Sequence, residues 1–183
     1  EKQVYSAVLG PNGKKQEPLF WQIAGISKSS FVDLRKELFA LMVDIEQNIN
    51  VHVASLSNYS VVYKVMGSAD VLPKYFYDLN NPSFETKITI GHNRYSTNTL
   101  SHFFRVQPFT LLGHNGEINT IQRLRDEAKM LDIPLVYQGS DSQDLNRVIQ
   151  GLITNYDFSL FATLELIFPP IYNEVFKMDA KLK

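Results

Sequence analysis

The sequence predicts an α+β fold in which helices pack as layers against sheet. Two patterns support this class: segments with apolar residues at helical spacing, and short runs rich in β-branched residues that end at turns. A chain of 183 residues is long enough for one domain with a sizeable core, and its composition of 44% apolar and 20% charged residues is typical of globular proteins. We therefore expect a single domain over residues 1–183.

Charge and hydropathy argue against two classes of partner. The net charge is −1 and the basic residues are scattered, which gives no reason to expect nucleic acid. No apolar run approaches the roughly 18 residues of a membrane span, and the first residues do not resemble a signal peptide. We expect no membrane contact and a cytoplasmic location. The cysteine count is zero, which removes disulfides, thiolate metal sites and cysteine nucleophiles from this chain.

The first half of the chain predicts one long helix among strands. Gln3 to Leu9 has the pattern of a strand that ends in a Pro-Asn-Gly turn. Apolar residues at helical spacing, preceded by serines suited to capping, predict an amphipathic helix from Phe31 to Asn48. β-Branched residues predict two strands, at Val51 to Leu56 and Ser60 to Val65, followed by a short helical segment from Ser68 to Phe76.

The second half predicts two further helices and a shorter strand. Lys87 to Gly91 is expected to be a strand that leads into a polar turn. Helical spacing from Thr120 to Leu131 predicts a helix, which Pro134 closes. Another helix is expected to begin at Ser140 or Asp141, since either residue suits an N-cap. The apolar stretch from Phe158 to Phe168 does not distinguish helix from strand.

Three polar turns, at residues 91–99, 111–120 and 139–145, each adjoin an apolar element, which indicates one shared site. We expect Gly116 to adopt a positive φ and to let a ligand approach the backbone. Asn115 and Gly116 could supply a side-chain amide and a backbone N–H to a developing oxyanion. The same Asn-Gly pair is also common in turns that bind nothing.

The charged residues of these turns allow two interpretations each. The guanidinium of Arg94 suits a carboxylate or phosphate ligand, but a surface ion pair would explain it equally well. Asp141 could accept hydrogen bonds from an ammonium group or could cap the following helix. The three histidines His92, His102 and His114 lack metal-site spacing, so we expect no metal. For His92 and His114 we expect hydrogen-bonded, half-buried rings that brace the turns.

Four segments together resemble one family: SLSNYSVVYKVM at 55–66, FETKITIGHNRYSTNT at 84–99, QPFTLLGHNGEINT at 107–120 and GSDSQDLNRVI at 139–149. They are similar, in the same order, to the glutamine amidotransferase domain of glutamate synthase, a class II amidotransferase. The similarity is strongest over residues 51–168, and residues 1–50 have no secure match. The resemblance implies the N-terminal-nucleophile fold, a four-layer αββα sandwich with two antiparallel sheets.

The resemblance also implies an activity. Such a domain hydrolyses L-glutamine to L-glutamate and ammonia, and the ammonia passes to a synthase site on a fused domain or a separate subunit. Flavin and iron–sulfur clusters belong to other domains of the family, so no cofactor is expected here. Asn115 and Gly116 match the family's oxyanion hole.

The substrate-binding residues that the resemblance implies lie in the first and third turns. Arg94 matches the arginine that holds the substrate α-carboxylate, and Thr97 and Asn98 lie beside it. Tyr95 falls in the loop that closes over glutamine, and Asp141 matches the aspartate that binds the α-ammonium group. A ligand held at both charged ends would present its amide to the nucleophile in a fixed orientation.

The sequence departs from the family at the nucleophile, which is a cysteine at the mature N-terminus. This chain has no cysteine, and Glu1 is its first residue. Ser101 and the pair Arg123-Leu124 also stand where the family commonly has Pro and Gly-Asn. Two explanations remain open: an incomplete amidotransferase domain whose nucleophile lies on another segment, or a cysteine-free relative that binds an amino acid as a sensor or regulatory subunit.

Overall fold

The computed structural model describes residues 1–93 and 102–169, and these residues form helices joined by irregular segments, with no β-strand among them. The six α-helices are α1 (Pro11–Lys15), α2 (Phe31–Asn48), α3 (Leu72–Tyr75), α4 (Ile121–Met130), α5 (Asp141–Asn155) and α6 (Leu160–Ile167). Three 3-10 helices span Ser6–Val8, Ala69–Val71 and Tyr77–Asn80.

Helix α2 has the bounds that the apolar spacing predicts, so this prediction is confirmed. Ser30 is its N-cap, and the Ser30 hydroxyl oxygen accepts a hydrogen bond from the N–H of Asp33 at 3.2 Å. Phe39 and Met42 are buried on the face towards α5. The helix therefore covers another helix, where the sequence suggested that it would cover a sheet.

Helix α5 is the most buried element and packs against α2, α4 and α6. Its N-terminus is a capping box: Ser140 accepts from the N–H of Gln143, and the Gln143 side chain accepts from the N–H of Ser140. Of the two capping residues that the sequence allowed, the structure therefore uses Ser140. Gly151 permits the close approach of Ile133, since a Cβ there would lie 2.8 Å from a methyl carbon of Ile133.

The buried apolar residues form two clusters. One is aromatic and joins the N-terminal segment to α3, through Leu9, Tyr75, Phe76 and Phe103. The other lies between α4 and α5, where Ala128, Ile133, Val148 and Leu152 pack together. The polar turns at 111–120 and 139–145 flank the second cluster, so their position depends on how α4 and α5 pack.

Strand predictions for four described segments are wrong: 3–9, 51–56, 60–65 and 87–91 contain no strand. A strand needs a ladder partner for its backbone groups, and side chains take this role instead at two places. The N–H of Val53 donates to Glu46 at 2.9 Å, and the N–H of Val62 donates to the hydroxyl of Ser55 at 3.1 Å. β-Branched composition alone therefore did not decide the structure.

The other local predictions have mixed outcomes. The helical segment from Ser68 to Phe76 is confirmed as a 3-10 turn followed by α3. Pro11 begins α1, where a turn was predicted, because its fixed φ also suits the first position of a helix. The predicted helices after Thr120 and Ser140 are confirmed as α4 and α5. The undecided stretch before Pro169 contains helix α6.

A buried group of charged residues links α2 to α5. Glu46 accepts hydrogen bonds from Arg147 and from the N–H of Val53, and its Oε1 lies 3.0 Å from Nδ1 of His52. Burial alone would raise the pKa of the Glu46 carboxyl, but the His52 hydrogen bond, the Arg147 charge and the Val53 N–H together lower it. Glu46 is therefore held as a carboxylate in the interior.

Arg147→Met is expected to destabilise the protein by about 3–5 kcal/mol, because it leaves the Glu46 carboxylate buried without its cation. Urea unfolding monitored by circular dichroism measures the change. The matched control is Arg123→Met, which removes an exposed pair with Glu127 on α4 and should change the free energy of unfolding little. Equal effects from the two variants would contradict the assignment of Glu46–Arg147 as a structural pair.

Because Lys64 is buried, we expect the stability of the protein to depend on pH. The Lys64 ammonium is buried over the ring of Phe109, at 4.3 Å, and donates to the carbonyls of Phe104 and Val106. Burial nevertheless lowers the pKa of Lys64 from 10.5 to about 7, and the nearby Glu46 carboxylate opposes the shift only in part. Between these two values the unfolded chain binds more protons than the folded one, so the Lys64 contribution to stability increases as the pH rises.

The test compares the parent with Lys64→Met, which keeps the apolar stem and removes the titrating group. Urea unfolding is measured for both proteins from neutral pH to about pH 10. As the pH rises, the free energy of unfolding of the parent should increase relative to that of Lys64→Met. Lys36→Met, at an exposed pair with Asp157, serves as the control and should show no such trend. A difference between parent and Lys64→Met that stays constant across this range would refute the prediction.

Candidate functional site

The first polar turn is described as far as Asn93. The predicted site residues Arg94, Tyr95, Thr97 and Asn98 lie outside the described residues, as does Ser101. Asn115, Gly116 and Asp141 are described, and the site is built here from them and from their contacts.

His92 links the first turn to the second. Its Nε2 lies 2.8 Å from Oδ1 of Asn115 and 3.1 Å from the backbone carbonyl oxygen of His114. The ring is partly buried. The bracing role predicted for His92 is therefore confirmed. Its ring lies within hydrogen-bond distance of the Asn115 side chain.

His114 links the second turn to the N-terminus of α5. Its Nε2 lies 2.7 Å from the hydroxyl of Ser142, and its backbone N–H donates to Oε1 of Gln107 at 2.7 Å. Ser142 follows Asp141 directly and is buried. The bracing role predicted for His114 is therefore also confirmed, and the second and third turns lie side by side.

Asn115 and Gly116 form an exposed corner between these two histidine contacts. Gly116 does not have the positive φ expected from the sequence; no described glycine has one. The space beside its backbone is open. A Cβ at Gly116 would meet nothing closer than Nδ1 of His114, at 3.8 Å, so a ligand can approach this backbone closely.

Asp141 lies at the first position of α5 and does not cap the helix, because Ser140 does. Its side chain is 49% exposed, and its Oδ1 accepts a hydrogen bond from Nη2 of Arg125 at 2.8 Å. Arg125 also donates from Nε to the buried Asp144, at 2.8 Å. Burial raises the pKa of Asp144 more than the Arg125 contact and the N–H of Val136 lower it.

Several residues that support the site were not singled out by sequence reasoning: Gln107, Arg125, Ser142 and Asn146. Asn146 accepts from the N–H of Leu111 at 3.0 Å and so fixes the start of the second turn. Three of the four lie inside the quoted motifs, and the motifs were the only available signal for them. Arg125 had no signal, because its partners come from another helix.

Two small cavities lie beside α2 and α5. Arg35 and Tyr59 are among the residues that line the first, and Lys64 and Gln143 are among those that line the second. Neither is lined by Asn115, Gly116 or Asp141. We place the candidate site at the turns because the His92 and His114 contacts connect the exposed Asn115 and Gly116 to the start of α5, where Asp141 is exposed. Within residues 1–93 and 102–169, no cluster of side chains suits a metal ion and no helix is long and apolar enough to cross a membrane.

The described residues offer both hydrogen-bond donors and a carboxylate to a small polar ligand. The amide of Asn115 and the N–H of Gly116 are donors suited to a carbonyl oxygen or an oxyanion. Asp141 keeps one carboxylate oxygen beyond the Arg125 contact and is suited to an ammonium group. The described part of the site thus offers complementary groups for a molecule that carries both functions.

Known proteins provide an independent comparison. A sequence profile of the class II glutamine amidotransferases matches residues 1–183. The chain is 38% identical over 125 residues to the chloroplastic ferredoxin-dependent glutamate synthase of Spinacia oleracea, which covers 63% of the chain. It is 33% identical over 167 residues, or 82% of the chain, to the glutamate synthase (NADH) of Saccharomyces cerevisiae. No solved structure matches it significantly.

A further relative, ferredoxin-dependent glutamate synthase 2 of Synechocystis sp., is 30% identical over 188 residues, and the match covers 91% of the chain. The matched region spans 8% of the Spinacia and Saccharomyces proteins and 12% of the Synechocystis protein. The match of the family profile over residues 1–183 establishes the family. The chain belongs to the class II glutamine amidotransferases.

Proposed function

We propose that this chain is the glutamine-binding part of a glutamate synthase-type amidotransferase, a glutaminase domain that binds L-glutamine and releases ammonia for a synthase site. Asn115 and Gly116 stabilise the oxyanion, and Asp141 binds the α-ammonium group. Arg94 holds the α-carboxylate. Thr97 and Asn98 lie beside Arg94, and Tyr95 belongs to the loop that closes over the ligand.

The observation that carries the proposal is the pair of histidine contacts between the turns. His92 contacts Asn115 at 2.8 Å, and His114 contacts Ser142 at 2.7 Å. The residue before the proposed oxyanion donors thus contacts the residue after Asp141, which supports a shared site. Arg94 follows His92 by two residues in the sequence, which supports our proposal that it binds the α-carboxylate at this site.

The remaining parts of the proposal concern the domain as a whole. We propose a single domain over residues 1–183 with the family's αββα sandwich, which family membership supports, although the described residues contain no strand. The partner is a synthase domain or subunit, as the names of the relatives suggest. The domain needs no cofactor of its own, and its proposed location is the cytoplasm.

The absence of cysteine favours a second candidate function. Without a thiol, no covalent intermediate on a cysteine of this chain can form. A cysteine-free relative with the same pocket would bind an amino acid as a regulatory subunit. The full coding sequence around Glu1 separates the two: a cysteine directly after the initiating Met would favour the amidotransferase.

Arg94→Ala should weaken glutamine and glutamate binding roughly 10- to 150-fold in calorimetry, because a charge-assisted contact to the α-carboxylate is lost. Arg123→Ala, which removes an exposed arginine on α4, is the control and should bind like the parent. If Arg94→Ala binds both ligands as well as the parent, the carboxylate assignment is wrong.

The chain alone should release no ammonia from glutamine above a heat-denatured control, because it has no cysteine nucleophile. An enzyme-coupled ammonia assay measures this under conditions where calorimetry shows glutamine binding. Ammonia release at a rate typical of enzymes would contradict the prediction, and it would also eliminate the non-catalytic candidate.

A further inference from the structure

The contacts of His92 identify which of its ring nitrogens carries hydrogen. Nε2 lies 3.1 Å from the backbone carbonyl oxygen of His114, and a carbonyl oxygen can only accept. Nε2 must therefore be the donor. Nδ1 is buried and has no hydrogen-bond partner among the described residues, so a hydrogen there would have no acceptor.

The Nε2–H group of His92 also determines the orientation of the Asn115 amide, that is, which of its terminal atoms is the oxygen. Nε2 of His92 also lies 2.8 Å from one terminal atom of the Asn115 side chain, and a donor requires this atom to be the oxygen. The amide NH₂ then points away from His92. It has no hydrogen-bond partner within the described part of the chain, and Asn115 is exposed.

Reversal of the amide would be unfavourable at this position. It would turn the NH₂ group towards the N–H of His92, so that two donors faced each other, and would present oxygen to the ligand side. A substrate carbonyl oxygen would then meet an acceptor. The orientation of the Asn115 amide therefore decides whether this side chain favours or opposes the binding of a substrate carbonyl.

The rest of the turn keeps the His114 carbonyl in place. The backbone N–H of His114 is bound to Gln107, which is buried, and its ring is bound to Ser142 on α5. The acceptor that orients His92 is consequently held by groups on two other segments. His92 is oriented by the fold, and Asn115 is oriented by His92.

We propose that His92 is a positioning residue that fixes the Asn115 amide with its NH₂ group towards the side-chain carbonyl of glutamine. This inference rests on the proposed function, since it presumes that glutamine binds at the turns. His92 itself need not touch the ligand. Its effect should therefore appear only for ligands that have a side-chain carbonyl.

The test compares L-glutamine with L-norvaline, which has the same carbon chain and both charged ends but lacks the side-chain amide. Calorimetry is performed on the parent, on His92→Leu and on His92→Gln, whose Nε2 can donate from about the same place. We expect His92→Leu to weaken glutamine binding roughly five- to tenfold and to leave norvaline binding unchanged. His92→Gln should restore most of the glutamine affinity.

The outcomes separate this inference from the function on which it rests. If His92→Leu weakens both ligands equally or weakens neither, the positioning role is wrong while glutamine binding stands. If the parent binds neither ligand, the proposed function fails and the inference fails with it. Unfolding midpoints of the three proteins show whether His92→Leu is folded, and a failure of His92→Gln to restore affinity in a folded protein would also overturn the proposal.

Discussion

The polar side chains that α5 buries impose the constraint on which the rest of the structure depends. A buried polar group must find a hydrogen-bond partner, and along α5 these partners come from α2, α4 and the loop at 102–115. Ser142 meets His114, Gln143 donates to the carbonyl of Phe104, and Asp144 accepts from Arg125. Asn146 binds the second polar turn, and Arg147 binds Glu46 of α2. One helix thereby fixes the positions of α2, α4 and the loop at 102–115.

The same constraint places positive charge around the proposed ammonium position. The N-terminus of α5 carries the positive end of the helix dipole, and Arg125 adds a guanidinium 2.8 Å from Asp141. An ammonium group binds there only if the carboxylates of Asp141 and Asp144 outweigh both effects. The Asp141 carboxylate oxygen that does not contact Arg125 is the acceptor left for such a group.

Irregular segments in this protein are held by side chains where a sheet would use backbone ladders. Val53 and Val62 donate their N–H groups to Glu46 and Ser55, and the segment from Phe104 to Val106 is held by the ammonium of Lys64. Side-chain partners satisfy individual backbone groups but impose no strand register. This explains how β-branched segments stay ordered here without forming strands.

Local sequence determined the helices and the chemical character of the site. Spacing and capping residues act within a few positions, so α2 and the start of α5 followed from the sequence, and the quoted motifs indicated the family and the turns that hold Asn115 and Asp141. Only the tertiary structure decided the contacts of His92 and Arg125 and the absence of strands in the described segments, because each depends on residues distant in the chain. Gly116 is a similar case: its local sequence suggested a positive φ, whereas the structure gives it none and leaves open space beside its backbone.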